Sequence, residues 1–453
     1  MSVYKGQTLT LSIFGTSHGP AIGMTLSGLP SDVHINLTVL QEFMTRRAPG
    51  NSPLSTSRKE PDIPEFVSGL KTGSSRNSRN LTTDGSEIKA IIYNRDVKSS
   101  DYSKIANTPR PGHADYTAHV KYGGTEDSRG GGAFSGRMTA PLCIAGGICK
   151  QLLAERGIYI HASIHDIHGN AEDPLSEIKK AQVLRDSVGG TILCTISGLE
   201  AGYGGPLFEG LEGRIAEIVY AVPAVKGIEF GAGFESTRMY GSENNDEFYY
   251  DEHGVVRTRT NNCGGILGGI SDGMDVNLRV AIKPTPSIAR PQKTIVYGCT
   301  DETTIEVHGR HDPCIVPRAV PCIEAAVAVA IADRILTEKP IESSSKASKE
   351  ASMVDSVSND SEAVQSEYIS LLRSSIDEID LQLLALIERR LQITKSVAAY
   401  KKENNLEIVD SVREEALLKR IRSLSSGELA DLNEDIFKAI IRASCKHQEE
   451  LLK

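Results

Sequence analysis

The sequence predicts an α+β fold for its long N-terminal part and an all-helical domain for its C-terminal part. In the N-terminal part glycine is dense, and short apolar runs rich in Val and Ile, such as LSIF, EIKAIIY, GTILCTI and DVNLRVAI, are typical of strands joined by tight turns. Two longer apolar runs, LCIAGGICKQLLAER and CIEAAVAVAIADRIL, predict helices. Because strands and helices do not alternate strictly along the chain, α+β is favoured over a doubly wound parallel sheet.

A change of composition divides the 453-residue chain. Residues 340–366 (PIESSSKASKEASMVDSVSNDSEAVQS) are rich in Ser and charged side chains and contain no aromatic residue. Such a segment cannot bury enough apolar surface to fold, so it predicts a flexible tether. We therefore expect one domain over residues 1–339 and a second over residues 367–453.

The composition argues against several classes of protein. A net charge of −9 disfavours a nucleic-acid binder. No stretch of about 18 apolar residues occurs, and no apolar run follows a basic N-terminus, so we expect neither membrane spanning nor secretion but a cytoplasmic protein. The eight cysteines show no CxxC or paired zinc spacing, so no metal site is predicted. Cys143, Cys149, Cys314 and Cys322 lie in apolar sequence and are expected to be small core residues.

Cationic and histidine side chains recur in five separate segments that are framed by Gly and Pro. Each segment alone is more often a simple turn, and the run GGILGGISDG lacks the strand-to-helix context of a dinucleotide fingerprint. Glycine lets the backbone approach a ligand closely, arginine binds phosphate or carboxylate with two prongs, and histidine moves protons near neutral pH. The recurrence therefore predicts a site for a polyanion. The segments contribute Ser17, His18, Arg46, Arg47, Arg58, Arg110, His113, Arg129, Ser135, Arg137, Lys283, Arg310, His311, Asp312 and Arg318.

Three of these segments carry a resemblance to a known family. FGTSHGPAIG (14–23), RPGHADYTAHVKYGG (110–124) followed by SRGGGAFSGR (128–137), and GRHDPCIVPRAVPCIEA (309–325) closely resemble the signature segments of chorismate synthase. The likeness runs from roughly Tyr4 to Leu336. It implies a layered β-α-β sandwich, usually assembled as a homotetramer. It also implies a 1,4-anti elimination of phosphate from 5-enolpyruvylshikimate 3-phosphate, which gives chorismate and requires reduced FMN.

The resemblance also implies roles for individual residues. His18 would lie at the phosphate side, His113 at the flavin side, and Asp312 would serve proton removal near flavin N5. Ser17 and Ser135 would be hydrogen-bonding supports at the substrate and the cofactor. Arg47 matches an arginine on the substrate side or the nicotinamide side, and Arg137 would bind substrate. The positions that match flavin contacts are Pro223, Ala224, Gly268, Lys283, Pro284, Thr285, Pro286, Ser287 and Arg310.

Two departures from the common family pattern affect cofactor binding. Many members read GGGRSSARE where this chain reads GGGAFSGRM, so an Arg and a Ser are replaced by Ala133 and Phe134. This change puts the local flavin contacts in doubt. Many members also have an Arg where this chain has Pro53, which weakens the case for NADPH as the reductant of the flavin.

The C-terminal part begins with a predicted helical seam that contains an arginine. Apolar residues step by four, three, four and three, and the next step places Arg390 on the seam; they are Leu372, Ile376, Ile379, Leu383 and Leu386. An Arg in an apolar seam needs an anion or another strong compensation. A coiled-coil pairing device with one polar specificity position fits the same pattern.

Two further helices are predicted. Ser411 and Glu414 have capping-box spacing, which indicates a helix start near Asp410. The last helix is expected from about Glu428 to Leu452, with a seam through Leu432, Ile436, Ile440 and Ala443. Ser444 and Gln448 lie one turn apart on one face and could act on one ligand.

These three helices resemble a chorismate mutase of the all-helical class, over about Ser370 to Leu451. The resemblance implies that the long helix pairs two such domains, with Arg373 reaching the partner's site. The implied pocket consists of Arg373, Arg390, Lys401, Asp410, Arg413, Glu414, Ser444 and Gln448. Arg390, Lys401 and Gln448 would act near the ether oxygen that breaks, and Glu414 would orient a substrate hydroxyl. The alternative is that the helical tail serves only for oligomerisation or for binding a regulatory ligand.

Overall fold

The computed structural model describes residues 2–50, 60–71, 80–94, 107–127, 129–307, 312–338, 383, 387, 390–395, 397–398, 401–402, 411–424 and 429–452. The chain divides into two compact units, Met1–Ser343 and Ser344–Lys453. The predicted linker 340–366 lies outside the described residues, as do the predicted site residues Arg310, Arg373 and Asp410.

The first unit contains all the strands that the structure describes. They are β1 Ser2–Lys5, β2 Thr10–Gly15, β3 Ala21–Ser27, β4 Ser31–Asn36, β5 Glu65–Ser68, β6 Asn80–Asp84, β7 Ile88–Tyr93, β8 Tyr159–Ile167, β9 Gly190–Ser197, β10 Val225–Phe230, β11 Phe248–Tyr250, β12 Val256–Thr258, β13 Ile266–Leu267, β14 Ile270–Ser271, β15 Val276–Ile282, β16 Gln292–Ile295 and β17 Glu302–Ile305. The four strands expected from apolar runs are confirmed as β2, β7, β9 and β15.

The first unit contains both of the helices that the apolar runs predict. The α-helices are α1 Leu37–Arg47, α2 Asp115–Tyr122, α3 Thr139–Ala154, α4 Pro174–Val183, α5 Leu211–Val219, α6 Gly241–Asn244 and α7 Val316–Thr337, with 3-10 turns at Arg129–Phe134, Gly136–Met138, Leu207–Glu209 and Gly233–Arg238. The predicted helices are confirmed as α3 and α7.

Two antiparallel sheets form the main β-structure. The five-stranded sheet has the order β1-β2-β3-β7-β5, and the four-stranded sheet has the order β10-β15-β9-β8. Apolar residues face one another across the central pairs, as with Met24 and Ala90 or Leu278 and Cys194. The mixed content with antiparallel pairing confirms the predicted α+β class.

Helices α3 and α7 form the centre of the core. Every residue of α7 from Ala319 to Ile335 is buried, so neighbouring elements cover the helix on all sides. The two helices pack closely because Gly146 faces Ala325, where a Cβ on the glycine would lie 2.3 Å from the Ala325 Cα. Helix α3 contacts β3 and β7 of the first sheet and β8 of the second, and α7 contacts β8 and β9.

A buried carboxylate fixes α7 against its neighbours. Glu324 is fully buried and accepts hydrogen bonds from Arg46 Nη2 at 2.7 Å, from Lys150 Nζ and from the backbone N–H of Ala162 at 3.0 Å. Paired cations hold the pKa of this carboxyl below its ordinary value although burial acts to raise it. The charge therefore ties α1, α3 and β8 to α7.

The second unit is helical where the structure describes it. Helix α8 spans Ser411–Leu424 and begins where the capping-box spacing predicts a start, and α9 spans Ala430–Leu452. Two residues of the predicted seam of α9 are exposed in the single chain, Leu432 by 59% and Ile436 by 48%. The buried residues of α9 include Ile441, Ser444 and Gln448, and Ser444 accepts a hydrogen bond from Arg390. Among the described residues, no helix has the length and apolar character needed to cross a membrane.

Candidate active site

Most of the site residues predicted for the first unit converge on one cavity of about 670 Å³. It lies where α3 and α7 begin, since Thr139 and Ile315 are among its lining residues. The N-terminal ends of two long helices present unpaired N–H groups and partial positive charge, which favour an anion. The predicted residues that line the cavity are Ser17, His18, Arg47, His113, Ser135, Arg137, Pro223, Ala224, Lys283, Thr285, Pro286, Ser287 and Asp312.

Consecutive glycines place the two histidines together. Gly130 and Gly131 have φ angles of +59° and +82°, in the left-handed region that side chains disfavour. A Cβ on Gly130 would lie 2.1 Å from His18 Cε1, and one on Gly131 would lie 3.2 Å from His113 Nε2. The loop therefore packs against both imidazoles only because it lacks side chains.

The variant Gly130→Ala is expected to lose about 2 kcal/mol of folding stability and to impair the cavity. The added Cβ would be strained at positive φ and would displace His18. The control is Gly136→Ala in the same segment, where a Cβ would meet no described heavy atom within 4 Å. Chemical denaturation of both variants measures the difference, and equal losses would contradict this account of the loop.

His113 is held by a carboxylate that the sequence reasoning did not select. Asp115 Oδ1 lies 2.6 Å from His113 Nδ1, and Asp115 also accepts hydrogen bonds from Arg110 Nε at 2.7 Å and Arg110 Nη2 at 2.8 Å. Burial acts to raise the pKa of Asp115, but Arg110 and His113 hold it well below its ordinary value. The carboxylate thereby orients the imidazole and leaves Nε2 on the side of the glycine loop. The sequence does offer a sign of this arrangement, because Arg110, His113 and Asp115 all lie within the six residues RPGHAD.

A second acid missed by the sequence reasoning joins two cavity arginines. Asp62 is 1% exposed and accepts from Arg47 Nη1 and Arg137 Nη1, while Arg47 Nε also donates to Thr139 Oγ1 at 3.1 Å. Burial acts to raise the pKa of Asp62, but the two guanidinium groups hold it below its ordinary value. Arg137 Nη2 is buried and has no hydrogen-bond partner among the described residues, but it forms a longer ion pair with Glu60 Oε2 at 3.9 Å.

The variant Asp62→Asn is expected to lower the free energy of unfolding by about 3 kcal/mol, because it leaves two buried cations without their shared counter-charge. Since the pKa of Asp62 is depressed in the folded protein, its stabilisation is present above the unfolded value near ~3.9 and is lost as pH falls through the lower folded value.

Asp32→Asn is the matched control for that experiment. Asp32 also has a positive φ and an ion pair, with Lys71, but its side chain is exposed. Urea titrations at neutral pH should show a much smaller loss of stability for this variant than for Asp62→Asn, because solvent screens an exposed ion pair. A similarly small loss in Asp62→Asn would contradict the proposed importance of the buried pair.

Another group of lining residues combines a lysine, an acid and backbone in the left-handed region. Lys283 Nζ donates to the Gly112 carbonyl at 2.5 Å, and its backbone N–H donates to Ala224, which has a φ of +75°. Burial, with Lys226 nearby, lowers the pKa of Lys283. Asp312 pairs with Arg318 at 2.5 Å. Cationic and acidic groups thus face the same space.

Two of the predicted cofactor residues that the structure describes are not lining residues of this cavity. Gly268 lies in the turn between β13 and β14, and Pro284 follows Lys283 but packs beside Gly189. Arg310 falls in the segment 308–311, outside the described residues.

In the second unit, the structure brings together part of the predicted mutase pocket. Arg390 Nη1 donates to Ser444 Oγ, and Gln448 Nε2 donates to the Ser444 carbonyl at 3.3 Å. Gln448 is 6% exposed, and its Oε1 is buried without a hydrogen-bond partner among the described residues. Glu414 lies close to this group, because its Oε1 accepts a hydrogen bond at 3.5 Å from the Sγ of Cys445, the residue after Ser444.

The remaining predicted residues of that pocket are less enclosed. Lys401 is half-buried and Arg413 is exposed, whereas Arg373 and Asp410 lie outside the described residues. The polar groups of Arg390, Ser444 and Gln448 are therefore the core of this second site.

Comparison with known families finds a match for each of the two parts of the chain. The family profile described as "Chorismate synthase" matches residues 9–336, and the profile described as "Chorismate mutase type II" matches residues 372–449. A chorismate synthase of Thermococcus gammatolerans is 43% identical over 359 residues, covering 74% of this chain and 98% of the relative. A chorismate synthase of Methanocaldococcus jannaschii is 40% identical over 374 residues, covering 74% and 96%.

A solved structure extends the agreement to the fold. "Crystal Structure of Chorismate Synthase" superposes with a TM-score of 0.55 at 24% identity, covering 74% of this chain and 93% of that one. The curated relatives and the structure cover a portion of this chain similar in length to its first unit, and the mutase profile matches beyond it. The chain therefore belongs to the chorismate synthase family, and it carries a chorismate mutase type II domain after its synthase domain.

Proposed function

We propose that the chain catalyses two consecutive reactions. The first unit would eliminate phosphate from 5-enolpyruvylshikimate 3-phosphate in a 1,4-anti manner to give chorismate, and the second would rearrange chorismate to prephenate. The observation that carries the proposal is the pairing of a cationic, histidine-lined cavity with a separate Arg390–Ser444–Gln448 site. The product of the first reaction is the substrate of the second.

The charge of the cavity suits the first substrate, which carries a phosphate and two carboxylates. Crowding these anions is unfavourable at low effective dielectric unless cations are close. Arg47, Arg137 and Arg318 all line the cavity, and the N-terminal ends of α3 and α7 add partial positive charge. We assign Arg47 to the substrate side, because it lies buried beside Arg137 and Thr139.

The residues present fit a flavin mononucleotide. Chorismate synthases use reduced flavin. The cavity of about 670 Å³ has the size of a small-molecule site. The left-handed backbone at Ala224 would let the planar ring or the phosphate of the cofactor come close to the main chain. When bound, reduced FMN supplies the electron that assists departure of phosphate. Ser135, Pro223, Ala224, Lys283, Thr285, Pro286 and Ser287 would hold it; the resemblance adds Arg310, Pro284 and Gly268 as further candidates. NADPH is a candidate source of the reducing equivalents.

The side chains at the cavity can also move the required protons. His18 would donate to the departing phosphate, and His113, whose Nδ1 lies 2.6 Å from Asp115, would exchange a proton through Nε2. Asp312 would accept the proton lost from the substrate ring, and it pairs with Arg318 Nη1 at 2.5 Å. Ser17 would support the substrate through its hydroxyl.

The second site suits a rearrangement that needs no nucleophile. The barrier falls when the folded conformer is held and the charge that develops on the ether oxygen is stabilised. Arg390, Lys401 and Gln448 would provide that stabilisation, and Glu414 would orient a substrate hydroxyl. Arg373 and Arg413 would grip carboxylates, while Asp410 and Ser444 complete the pocket.

We further propose the finer architecture that the resemblance implies. Contacts of α3 with both sheets support a layered β-α-β sandwich, and helical residues 390–395 with α8 and α9 support a three-helix domain. The exposed Leu383, Leu432 and Ile436 support pairing of helical domains between copies of the chain, beside a synthase homotetramer.

One experiment tests both activities. Under anaerobic conditions, the full chain is incubated with chemically reduced FMN and 5-enolpyruvylshikimate 3-phosphate. Phosphate and prephenate should appear together. Chorismate that accumulates unchanged would retain the synthase and support the alternative that the helical domain serves oligomerisation or regulation, while absence of phosphate release would refute the first activity.

A further inference from the structure

Two cysteines meet beside the floor of the synthase cavity. Cys143 in α3 and Cys322 in α7 have their sulfur atoms 3.9 Å apart. Cys322 is among the residues that line the cavity, although only 3% of its surface is exposed. The pair therefore consists of one cysteine that lines the cavity and a second cysteine that is not among the lining residues.

The packing of α3 and α7 fixes this pair. Gly146 and Ala325 mark the closest approach of the two helices, and each cysteine lies three residues before one of them. Residues three apart lie on the same helix face, so the cysteines occupy the next position along the same contact. The sulfur of Cys143 is also 3.8 Å from the Pro321 carbonyl. A disulfide requires about 2.05 Å between the sulfur atoms, which calls for a closure of roughly 2 Å.

The surroundings of the two thiols differ. The pKa of Cys322 is lowered by a hydrogen bond from Cys143 and by the positive charges of Arg47 and Arg318, although burial acts to raise it. The pKa of Cys143 is raised, chiefly by burial. A thiolate is the nucleophilic form of cysteine. This asymmetry is typical of a reactive thiol with a resolving neighbour.

We propose that Cys322 is an oxidation site for hydroperoxides that enter the synthase cavity, and that Cys143 resolves the product as a disulfide between α3 and α7. The Cys322 sulfur attacks one peroxide oxygen, the O–O bond breaks, hydroxide leaves, and the sulfur becomes a sulfenic acid. Cys143 then attacks that sulfur, its thiol proton leaves with the hydroxyl group as water, and an S–S bond forms. Two thiols are oxidised by two electrons in total while one peroxide is reduced to two waters.

The proposed cofactor offers a local source of the oxidant. If the cavity holds reduced FMN, as the proposed function requires, that cofactor would supply hydrogen peroxide from oxygen beside Cys322. The site itself does not depend on that source, because added peroxide reaches the same cavity.

The test treats the full chain, without flavin, with hydrogen peroxide and maps its cysteines by mass spectrometry under non-reducing conditions. We expect a Cys143–Cys322 disulfide that dithiothreitol reverses, formed at least about tenfold faster than any oxidation of Cys149. Cys149 is the internal control, because it is equally buried in α3 and burial raises its pKa to about 12. Oxidation of Cys322 no faster than that of Cys149 would overturn the proposal.

Two variants separate the steps. In Cys143→Ser, Cys322 should persist as a sulfenic acid that dimedone traps, and in Cys322→Ser the oxidation of Cys143 should fall at least about tenfold. Oxidation of Cys143 at the wild-type rate in Cys322→Ser would overturn the assigned order. The wild-type measurement needs neither a variant nor flavin. It therefore still decides the proposal if a variant does not fold or if the chain does not bind FMN.

Discussion

Replacing Arg390 by leucine is expected to lower the conversion of chorismate to prephenate roughly a thousandfold while phosphate release continues at the wild-type rate. Arg390 donates to Ser444 beside the buried Gln448, so its guanidinium is the charged group at the centre of the second site. Leucine removes the charge that would stabilise the breaking ether bond. Chromatographic assay of prephenate from added chorismate measures the loss.

The control for this prediction is Lys395→Leu. Lys395 is an exposed cation in the same run of described helical residues, and its replacement should change the mutase rate less than twofold. If the helix were only a pairing device, Arg390→Leu would keep its rate and its stability would be equal or higher. That outcome would refute the mutase assignment.

Replacing Asp115 by asparagine is expected to slow phosphate release about a hundredfold. The amide cannot accept a charge-assisted bond from His113 Nδ1 and two from Arg110, so the imidazole loses its orientation and tautomer. Single-turnover assay with reduced FMN measures the rate, and Asp115→Glu should restore part of it because the charge returns.

Asp186→Asn is the control for Asp115. Asp186 also pairs with an arginine, Arg290, at 2.8 Å, but it is not among the residues that line the cavity. Its variant should leave the synthase rate unchanged, whereas a full rate in Asp115→Asn would contradict the orienting role.

The pKa of Asp115 sets the acid limit of that role. Because it lies well below the ordinary value, the carboxylate stays charged as pH falls through about 4. The stability that Asp115 contributes is full above the unfolded value and is lost only as pH falls through the lower folded value. Synthase activity in the wild type should therefore not decline at pH 4–5 through protonation of this group.

The secondary structure and the cationic loops could be predicted from the chain because they depend on local pattern. The run DVNLRVAI is β15, and the run CIEAAVAVAIADRIL lies in α7. The segments with His18 and His113 were expected to share a hollow, and both histidines line the same cavity. Glycine patterns and apolar periods are properties of short stretches, so sequence reasoning reaches them.

The acids were harder to predict. Asp62 lies in a segment between the first arginine cluster and the cavity loops, and nothing in its neighbours shows that it joins Arg47 to Arg137. The buried face of α9 is hard to predict for a related reason. Leu432 and Ile436 follow the apolar period, but Ser444 and Gln448 are buried, and Ser444 accepts a hydrogen bond from Arg390, which is 54 residues away in the chain.

The sequence by itself determined four of the described strands, the two central helices, the glycine turns and the family to which the chain belongs, since all of these are written in short contiguous patterns. The tertiary structure alone decided which acid neutralises which arginine, which face of α9 is buried, and that Cys143 and Cys322 meet. The physical reason is that charge compensation and burial depend on distances between residues far apart in the chain, and folding, not local pattern, sets those distances.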